Sequence, residues 1–333
     1  MPNQTVADYA NLTPDFMLDA IESIGIYPTS GLMALNSYEN RVYQFTADDE
    51  LRYVVKFYRP ARWTTEQIIE EHQFSIKLAQ AEIPVIPPLV LDGRTLQQYN
   101  GFLFALFECR GGRQFEVDNL DHLEWVGRFM GRIHKVGQAK KFTHRLTLNS
   151  DNYLVKPQQF LLQYAEVPDY LRQAFDTALT MLVELTQQQL SDIGTVVQQR
   201  LFGDCHPGNI LWTDDGPHFV DLDDSVNGPA IQDLWMMLSG DRNAQMMQLE
   251  VLLEGYGEFC EFDTNELKLI EPLRAMRMVN YMYWLAKRWD DPAFPHNFPW
   301  FNTPQYWEQQ VLAIKEQIAQ LQEPPLTLPS FNF

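Results

Sequence analysis

The sequence predicts an α+β fold of two lobes, a small antiparallel-sheet lobe over residues 1–109 and a larger, mainly helical lobe over 110–333. Three observations point there. Short β-branched and aromatic runs separated by turn signals fill the first part of the chain. The periodicity becomes helical beyond Gly112. The length of 333 residues at 45% hydrophobic composition is enough for each lobe to bury its own core.

Gly31–Leu35 and Arg41–Phe45 read as short strands parted by the turn-prone Asn36-Ser37-Tyr38-Glu39-Asn40. Tyr53–Tyr58 is β-branched and aromatic, and reads as a buried strand that Pro60 ends. Thr64 or Thr65 then caps a helix running to about Ala81, with Glu66 and Glu70 favourable near its positive end. Pro84, Pro87 and Pro88 break the chain, Phe102–Phe107 is a continuous apolar strand, and Glu108–Gly112 reads as a hinge. Leu123, Val126, Phe129, Met130 and Ile133 share one helix face, and residues 158–200 and 244–289 keep a helical period. Strand character returns only at Asn209–Trp212 and His218–Leu222. The tail from Glu323, with three prolines, reads as extended.

A formal charge of −19 sets the chain against phosphate backbones and anionic membrane surfaces, so nucleic acid and membrane are poor partners. No apolar run approaches the roughly 18–20 residues that span a bilayer. The start of the sequence carries no basic segment followed by an apolar core, so the N-x-T triplets at Asn3 and Asn11 read as chance matches. The three cysteines, Cys109, Cys205 and Cys260, are far apart and lack zinc spacing, a pattern at home in a reducing cytoplasm.

The chemistry concentrates in Phe202-Gly203-Asp204-Cys205-His206-Pro207-Gly208-Asn209. Asp204 and Asn209 stand five positions apart, the D-x-x-x-x-N spacing of a kinase catalytic loop. In such a loop the Asp accepts the proton of an attacking hydroxyl and the Asn binds Mg²⁺. Ile210-Leu211-Trp212 and His218-Phe219-Val220 read as a hairpin turned by Asp214-Asp215-Gly216, which returns Asp221 beside Asn209. A carboxylate there is the second hard oxygen ligand that Mg²⁺ prefers alongside substrate phosphates. The spacing alone is weak; followed by a hairpin and an apolar strand ending in Asp it is much more specific. Lys56, at the end of Val54-Val55-Lys56, fits the lysine that neutralises the α- and β-phosphates of ATP. Glu71 is its expected partner, because it shares a helix face with Ile68 and Leu78, while Glu70 turns about 100° away to a more exposed side. By itself Lys56 would read as an edge-strand lysine that snorkels to water.

Leu201 to Asn209 resembles the H-G-D-x-H-x-x-N signature of aminoglycoside phosphotransferases, choline kinases and one type of homoserine kinase. Phe219–Asp224, Gly228-Pro229 and Asp233–Trp235 resemble the metal-binding and downstream segments of the same superfamily. Leu35–Phe45, Val54–Pro60 and Asp291–Pro295 look closer still to its bacterial stress-response kinases. This resemblance spans nearly the whole chain. It implies a protein-kinase-like fold and a cytoplasmic, monomeric kinase using ATP and Mg²⁺ to phosphorylate Ser or Thr of proteins in a stress response. Carried over, Asp204 is the proton acceptor, Asn209 and Asp221 hold Mg²⁺, Ser37 touches ATP, and Asp233 braces the catalytic loop. A small alcohol such as homoserine, choline or an aminoglycoside is the alternative acceptor.

Two departures stand out. Phe202 replaces the signature's histidine, so the hydrogen bonds of that side chain must be replaced. The loop Asn36–Asn40 holds no glycine, and Ser37 with nearby amides would take the phosphate; a plain hairpin turn is the competing reading. His206 reads as a loop-stabilising residue and not a metal ligand. Cys205 and Cys109 read as packing residues more readily than as redox sensors. Asp223 and Asp224 either reach a second metal or cap the next element. Leu273, Met276, Tyr281, Trp284 and Leu285 read as core, and Trp289, Phe298, Trp300 and Phe301 as an acceptor groove or loop packing.

Overall fold

The computed structural model describes residues 9–328, so the Asn3 triplet and residues 329–333 of the tail lie outside it. In chain order come α1 (Pro14–Glu22), β1 (Met33–Ala34), β2 (Arg41–Thr46), β3 (Arg52–Phe57), α2 (Thr65–Gln80), β4 (Gln97–Tyr99), β5 (Phe102–Glu108) and β6 (Arg113–Gln114). Next are α3 (Leu120–Gly137), α4 (Lys156–Tyr164), α5 (Asp169–Ile193), β7 (Gln199–Arg200), β8 (Ile210–Thr213), β9 (Gly216–Phe219) and β10 (Asn227–Gly228). The rest is α6 (Gln232–Trp235), α7 (Arg242–Gly257), α8 (Ile270–Lys287), α9 (Ala293–Asn297) and α10 (Pro304–Gln322). The chain forms two compact units. The first comprises the residues up to Phe115 with Phe142–Arg145 and Gly208–Ser225; the second comprises Glu116–Lys141, Leu146–Pro207 and the residues from Val226 onward.

In the first unit a five-stranded antiparallel sheet runs β1-β2-β3-β5-β4. Over Phe102–Phe107 strand β5 is continuously apolar because both of its faces are covered. Phe102, Phe104 and Leu106 pack with Val55, Phe57 and the α1 residues Met17, Ala20 and Ile21. Leu103, Ala105 and Phe107 pack with Tyr58 and with Ile68 of α2. Lys56 alternates with Val55 and Phe57 and stands opposite Ala105, so it belongs to the α2 face. The predicted capping of α2 holds: Thr64 accepts from Gln67 N at 3.3 Å, and the Gln67 side chain accepts from Thr64 N at 2.9 Å. Asn100 (φ 42°) and Gly101 (φ 92°) make the tight β4–β5 turn, and this Asn-Gly pair is the sequence signal that marks the unexpected strand β4.

Hairpin β8–β9 lies in the first unit, closed by Asp214-Asp215 between the paired Thr213 and Gly216. Its return strand spans Gly216–Phe219, earlier than the expected His218–Leu222, because Asp221 turns into the left-handed region and stops the ladder. Strand β1 is likewise shorter than expected.

In the second unit α3 and α7 cross at van der Waals distance of their backbones. A Cβ on Gly127 would meet Leu252 O at 2.1 Å, and one on Gly255 would meet Glu124 O at 2.3 Å. Helix α5 packs on α10, where Phe175 meets Trp307 edge to face at 5.3 Å. The helical period expected over 158–200 is interrupted before α5 by Pro168 and ends at Gly194, whose φ is 79°. In the α8 stripe Leu273, Met276 and Leu285 are core, whereas Tyr281 lies on the surface. Phe298 and Phe301 are buried by loop packing while Trp300 stays exposed. Among the described residues no helix is long and apolar enough to cross a membrane.

Candidate active site

Within the first unit the chemistry gathers at the end of β3 and after β9. Asn209 closes a 3-10 turn, Pro207–Asn209, and its carbonyl accepts from Val220 N at 3.0 Å. That rung sets Asp221 next to Asn209, as the hairpin spacing requires. Asp221 has φ 64° and ψ 68°, a conformation that Asp tolerates better than most residues and that aims its half-exposed carboxylate away from the strand. Lys56 Nζ donates to Asp221 Oδ1 at 2.7 Å. Burial alone would lower the lysine's pKa, but the negative charges of Asp221, Asp223 and Glu71 raise it well above the ordinary value. The lysine therefore stays charged.

Glu71 is buried on the α2 face as predicted and belongs to the charge field of Lys56, yet the ammonium hydrogen-bonds Asp221 and not Glu71. Burial pushes the Glu71 carboxyl up to about 7, against the pull of Arg145 and Lys56. Glu70, expected on a more exposed side, is also buried. It accepts backbone N–H bonds from Thr143, His144 and Arg145 at 2.6, 2.8 and 2.9 Å. The physical reason is a segment brought back from beyond α3, which helix periodicity alone does not reveal.

The glycine-free loop Asn36–Asn40 is held by side chains. Glu39 and Asn40 are buried. Arg59 Nε lies 2.9 Å from Glu39 Oε1, and Arg59 N donates to Asn40 Oδ1 at 3.1 Å. Asn40 Nδ2 donates to Asp223 Oδ2 at 3.0 Å, and Arg62 donates to the same oxygen at 2.6 Å. Arg145 Nη1 donates to Asp223 O at 2.7 Å and its guanidinium stacks on Trp63 at 4.4 Å. Asp223 is thus a structural hub, with a carboxyl held far below the usual range despite burial by Arg62, Lys56 and Arg145. Ser37 sits partly exposed in this loop, between β1 and β2.

The second unit presents Asp204. Burial would raise its pKa, but the hydrogen bond from His206 and the Arg277 guanidinium bring it down to about 2. Its Oδ1 accepts from Arg277 Nη1 on α8, and its Oδ2 lies 3.4 Å from His206 Nε2. The loop backbone is braced by Asp233, which accepts from Phe202 N at 2.7 Å and Gly203 N at 2.8 Å. His134 Nε2 lies 3.0 Å from Asp233 Oδ2, and Gln232 Nε2 donates to Gly203 O at 3.0 Å. This answers the Phe202 departure: the side chain is buried in the core and the loop is fixed through its amides. Cys205 is fully buried, and burial raises its thiol well above the ordinary value, so it is a packing residue.

Among the described residues no three or more His, Cys, Asp or Glu side chains are placed to hold a metal by themselves. The donors present are the Asp221 carboxylate, the Asn209 carboxamide and Asp223 Oδ1, a buried oxygen with no hydrogen-bond donor. Such a hard-oxygen set suits Mg²⁺, which takes one or two carboxylates alongside substrate phosphates, better than a metal that takes all its ligands from protein.

Arg62, Arg145, His134 and Arg277 were not singled out by the sequence. His134 carried a signal, a polar residue beside Ile133 and four after Met130 on the buried face of α3. The arginines carried none, since their partners lie far off in sequence.

The profile of the phosphotransferase enzyme family matches residues 32–270. The chain is 52% identical over 326 residues to stress response kinase A of Escherichia coli strain K12, covering 98% of each. It is 51% identical over 327 residues to the serine/threonine protein kinase RdoA of Salmonella typhimurium, again over 98% of each. Solved structures share the fold at low identity. An amicoumacin kinase in complex with AMP-PNP and Ca²⁺ has a TM-score of 0.73 at 18% identity over 94% of this chain and 95% of that one. A microcompartment-associated aminopropanol kinase has 0.70 at 16% over 92% and 96%. Matched through most of its length by the profile and through nearly all of it by these relatives, the chain belongs to the phosphotransferase enzyme family, among its stress response kinases.

Proposed function

We propose that the protein transfers the γ-phosphoryl group of ATP to a Ser or Thr hydroxyl of a protein, with Asp204 as proton acceptor. The observation that carries this reading is the 2.7 Å ion pair of Lys56 with Asp221 beside Asn209. It joins a permanently charged phosphate partner to a metal-type carboxylate in one unit. Asn209 and Asp221 would hold Mg²⁺, which supplies neutralising charge and a fixed phosphate geometry. Lys56 exchanges Asp221 for the α- and β-phosphates, and Glu71 tunes the lysine's field. The loop of Ser37, braced by Arg59 and Arg62, offers a hydroxyl and amides to phosphate oxygens.

In the transfer the acceptor oxygen bonds to the γ-phosphorus, the bond to the β-bridging oxygen breaks, and ADP leaves. The hydroxyl proton passes to Asp204. A carboxylate held near 2 is a weak base, so its work is to orient the hydroxyl and take the proton late, as expected where bond breaking leads. The name of the Salmonella relative supports a protein acceptor. The test is label transfer from radiolabelled ATP with Mg²⁺ to generic protein substrates against a panel of amino alcohols. Label in protein upholds the reading, and label only in small alcohols replaces it with the small-molecule one.

A further inference from the structure

We propose that Arg277 selects the phosphate acceptor, favouring a hydroxyl in an acidic peptide context and rejecting cationic acceptors. This rests on the reading of Asp204 as proton acceptor and deepens it.

The geometry is specific. Arg277 Nη1 holds Asp204 Oδ1 while His206 Nε2 lies 3.4 Å from the other oxygen, Oδ2, and the Arg277 side chain is 44% exposed. An acceptor hydroxyl that donates to Asp204 competes for an oxygen already holding a guanidinium. Its guanidinium presents its donors in a rigid fork matched to carboxylates. Displaced by the hydroxyl, it remains beside the acceptor in need of a new anion. A carboxylate on a neighbouring residue supplies one; an ammonium there meets repulsion instead.

Arg274, one turn earlier on α8, does not share this role. It lies 3.2 Å from its own carboxylate, Glu271, and over the Trp235 ring at 5.0 Å. Arg277 instead pairs with Asp204, the base itself. A bare Asp204 in so acidic a chain would draw cationic alcohols, and Arg277 reverses that bias.

The test uses the full chain with Mg²⁺ and ATP. Two serine peptides of equal length serve as acceptors, one flanked by Asp and Glu, the other by Lys, with free L-serine as a third. Wild type, Arg277→Ala and Arg277→Lys are compared by acceptor KM. The same peptides with Ala at the acceptor position give Kd by fluorescence anisotropy, a readout that needs no transfer. Wild type is expected to favour the acidic peptide by about 10-fold or more in KM and Kd. Arg277→Ala is expected to erase the preference, and Arg277→Lys to restore part of it. Efficient use of L-serine with the same dependence on Arg277 assigns the carboxylate to a small acceptor and keeps the selection. Equal or tighter binding of the basic peptide by wild type, or a preference surviving in Arg277→Ala, overturns the proposal. Discriminating binding without transfer to any acceptor leaves Arg277's selection standing and removes Asp204's catalytic role.

Discussion

Lys56 Nζ stands 2.7 Å from Asp221 Oδ1, so the lysine expected to serve ATP phosphates rests on the carboxylate expected to serve the metal. The carboxylate's negative charge helps hold the buried lysine in its charged form. Replacing Lys56 by Met keeps its length and removes its charge. Loss of a charge-assisted bond to phosphate is expected to weaken ATP by about 10- to 100-fold. Titration with a fluorescent ATP analogue checks this, and unaltered affinity would remove Lys56 from the nucleotide site.

Asp221→Asn tests the metal ligand without disturbing the backbone. Asn tolerates the left-handed φ of 64° as well as Asp does. Although the carboxylate is 46% exposed, the Lys56 side chain it neutralises is only 10% exposed, so the substitution leaves a buried ammonium less compensated and some thermal stability is expected to be lost. Mg²⁺-dependent turnover should collapse while cooperative unfolding is retained. Turnover that keeps its Mg²⁺ dependence and its rate counts against the assignment.

Glu71 makes stability depend on pH in an unusual direction for a carboxylate. Its folded pKa is about 7 against 4.5 for the free side chain, so the folded state binds more protons between those values. Its contribution is whole below about pH 4.5 and is lost as pH rises through 7. Glu71→Gln mimics the neutral form and should gain on wild type by on the order of 2 kcal/mol between pH 5 and pH 8. Urea unfolding of both proteins at the two pH values reads the difference, and a constant gap refutes it.

Asp233 holds two backbone amides of the loop that carries Asp204, at Phe202 and Gly203. Asp233→Ala leaves both donors without their acceptor in a buried site, along with His134. A loss of roughly 3–5 kcal/mol is expected. Asp233→Asn, which keeps one acceptor oxygen, should fall between. If denaturant midpoints for the alanine variant match wild type, the brace is not structural.

The α3–α7 crossing predicts that Gly127→Ala costs about 1–3 kcal/mol, because its Cβ would lie 2.1 Å from Leu252 O. Differential scanning of the variant against Gly257→Ala, where a Cβ meets open space, separates crowding from helix propensity.

Local rules carried much of this structure. Thr64 or Thr65 with Glu66 announces α2, Asp214-Asp215-Gly216 announces the hairpin, and unbroken apolar Phe102–Phe107 announces a strand. What stayed hidden depends on distant sequence. Nothing around Glu70 reveals that Thr143–Arg145 will come back to donate three amides to it. Nothing around residue 277 marks it as the neighbour of Asp204, 73 positions away. The loop of Ser37 could not be read because its support comes from Arg59, Arg62 and Asp223, where a glycine-rich loop would carry its own geometry. Strand β4 was legible through Asn100-Gly101 and simply needed that pair to be weighed.

The most direct test of the whole account is phosphoryl transfer by Asp204→Asn, measured beside binding of a non-hydrolysable ATP analogue with Mg²⁺. Transfer is expected to fall by about 10²- to 10⁴-fold with nucleotide binding retained. Transfer at the wild-type rate by this variant would contradict the account.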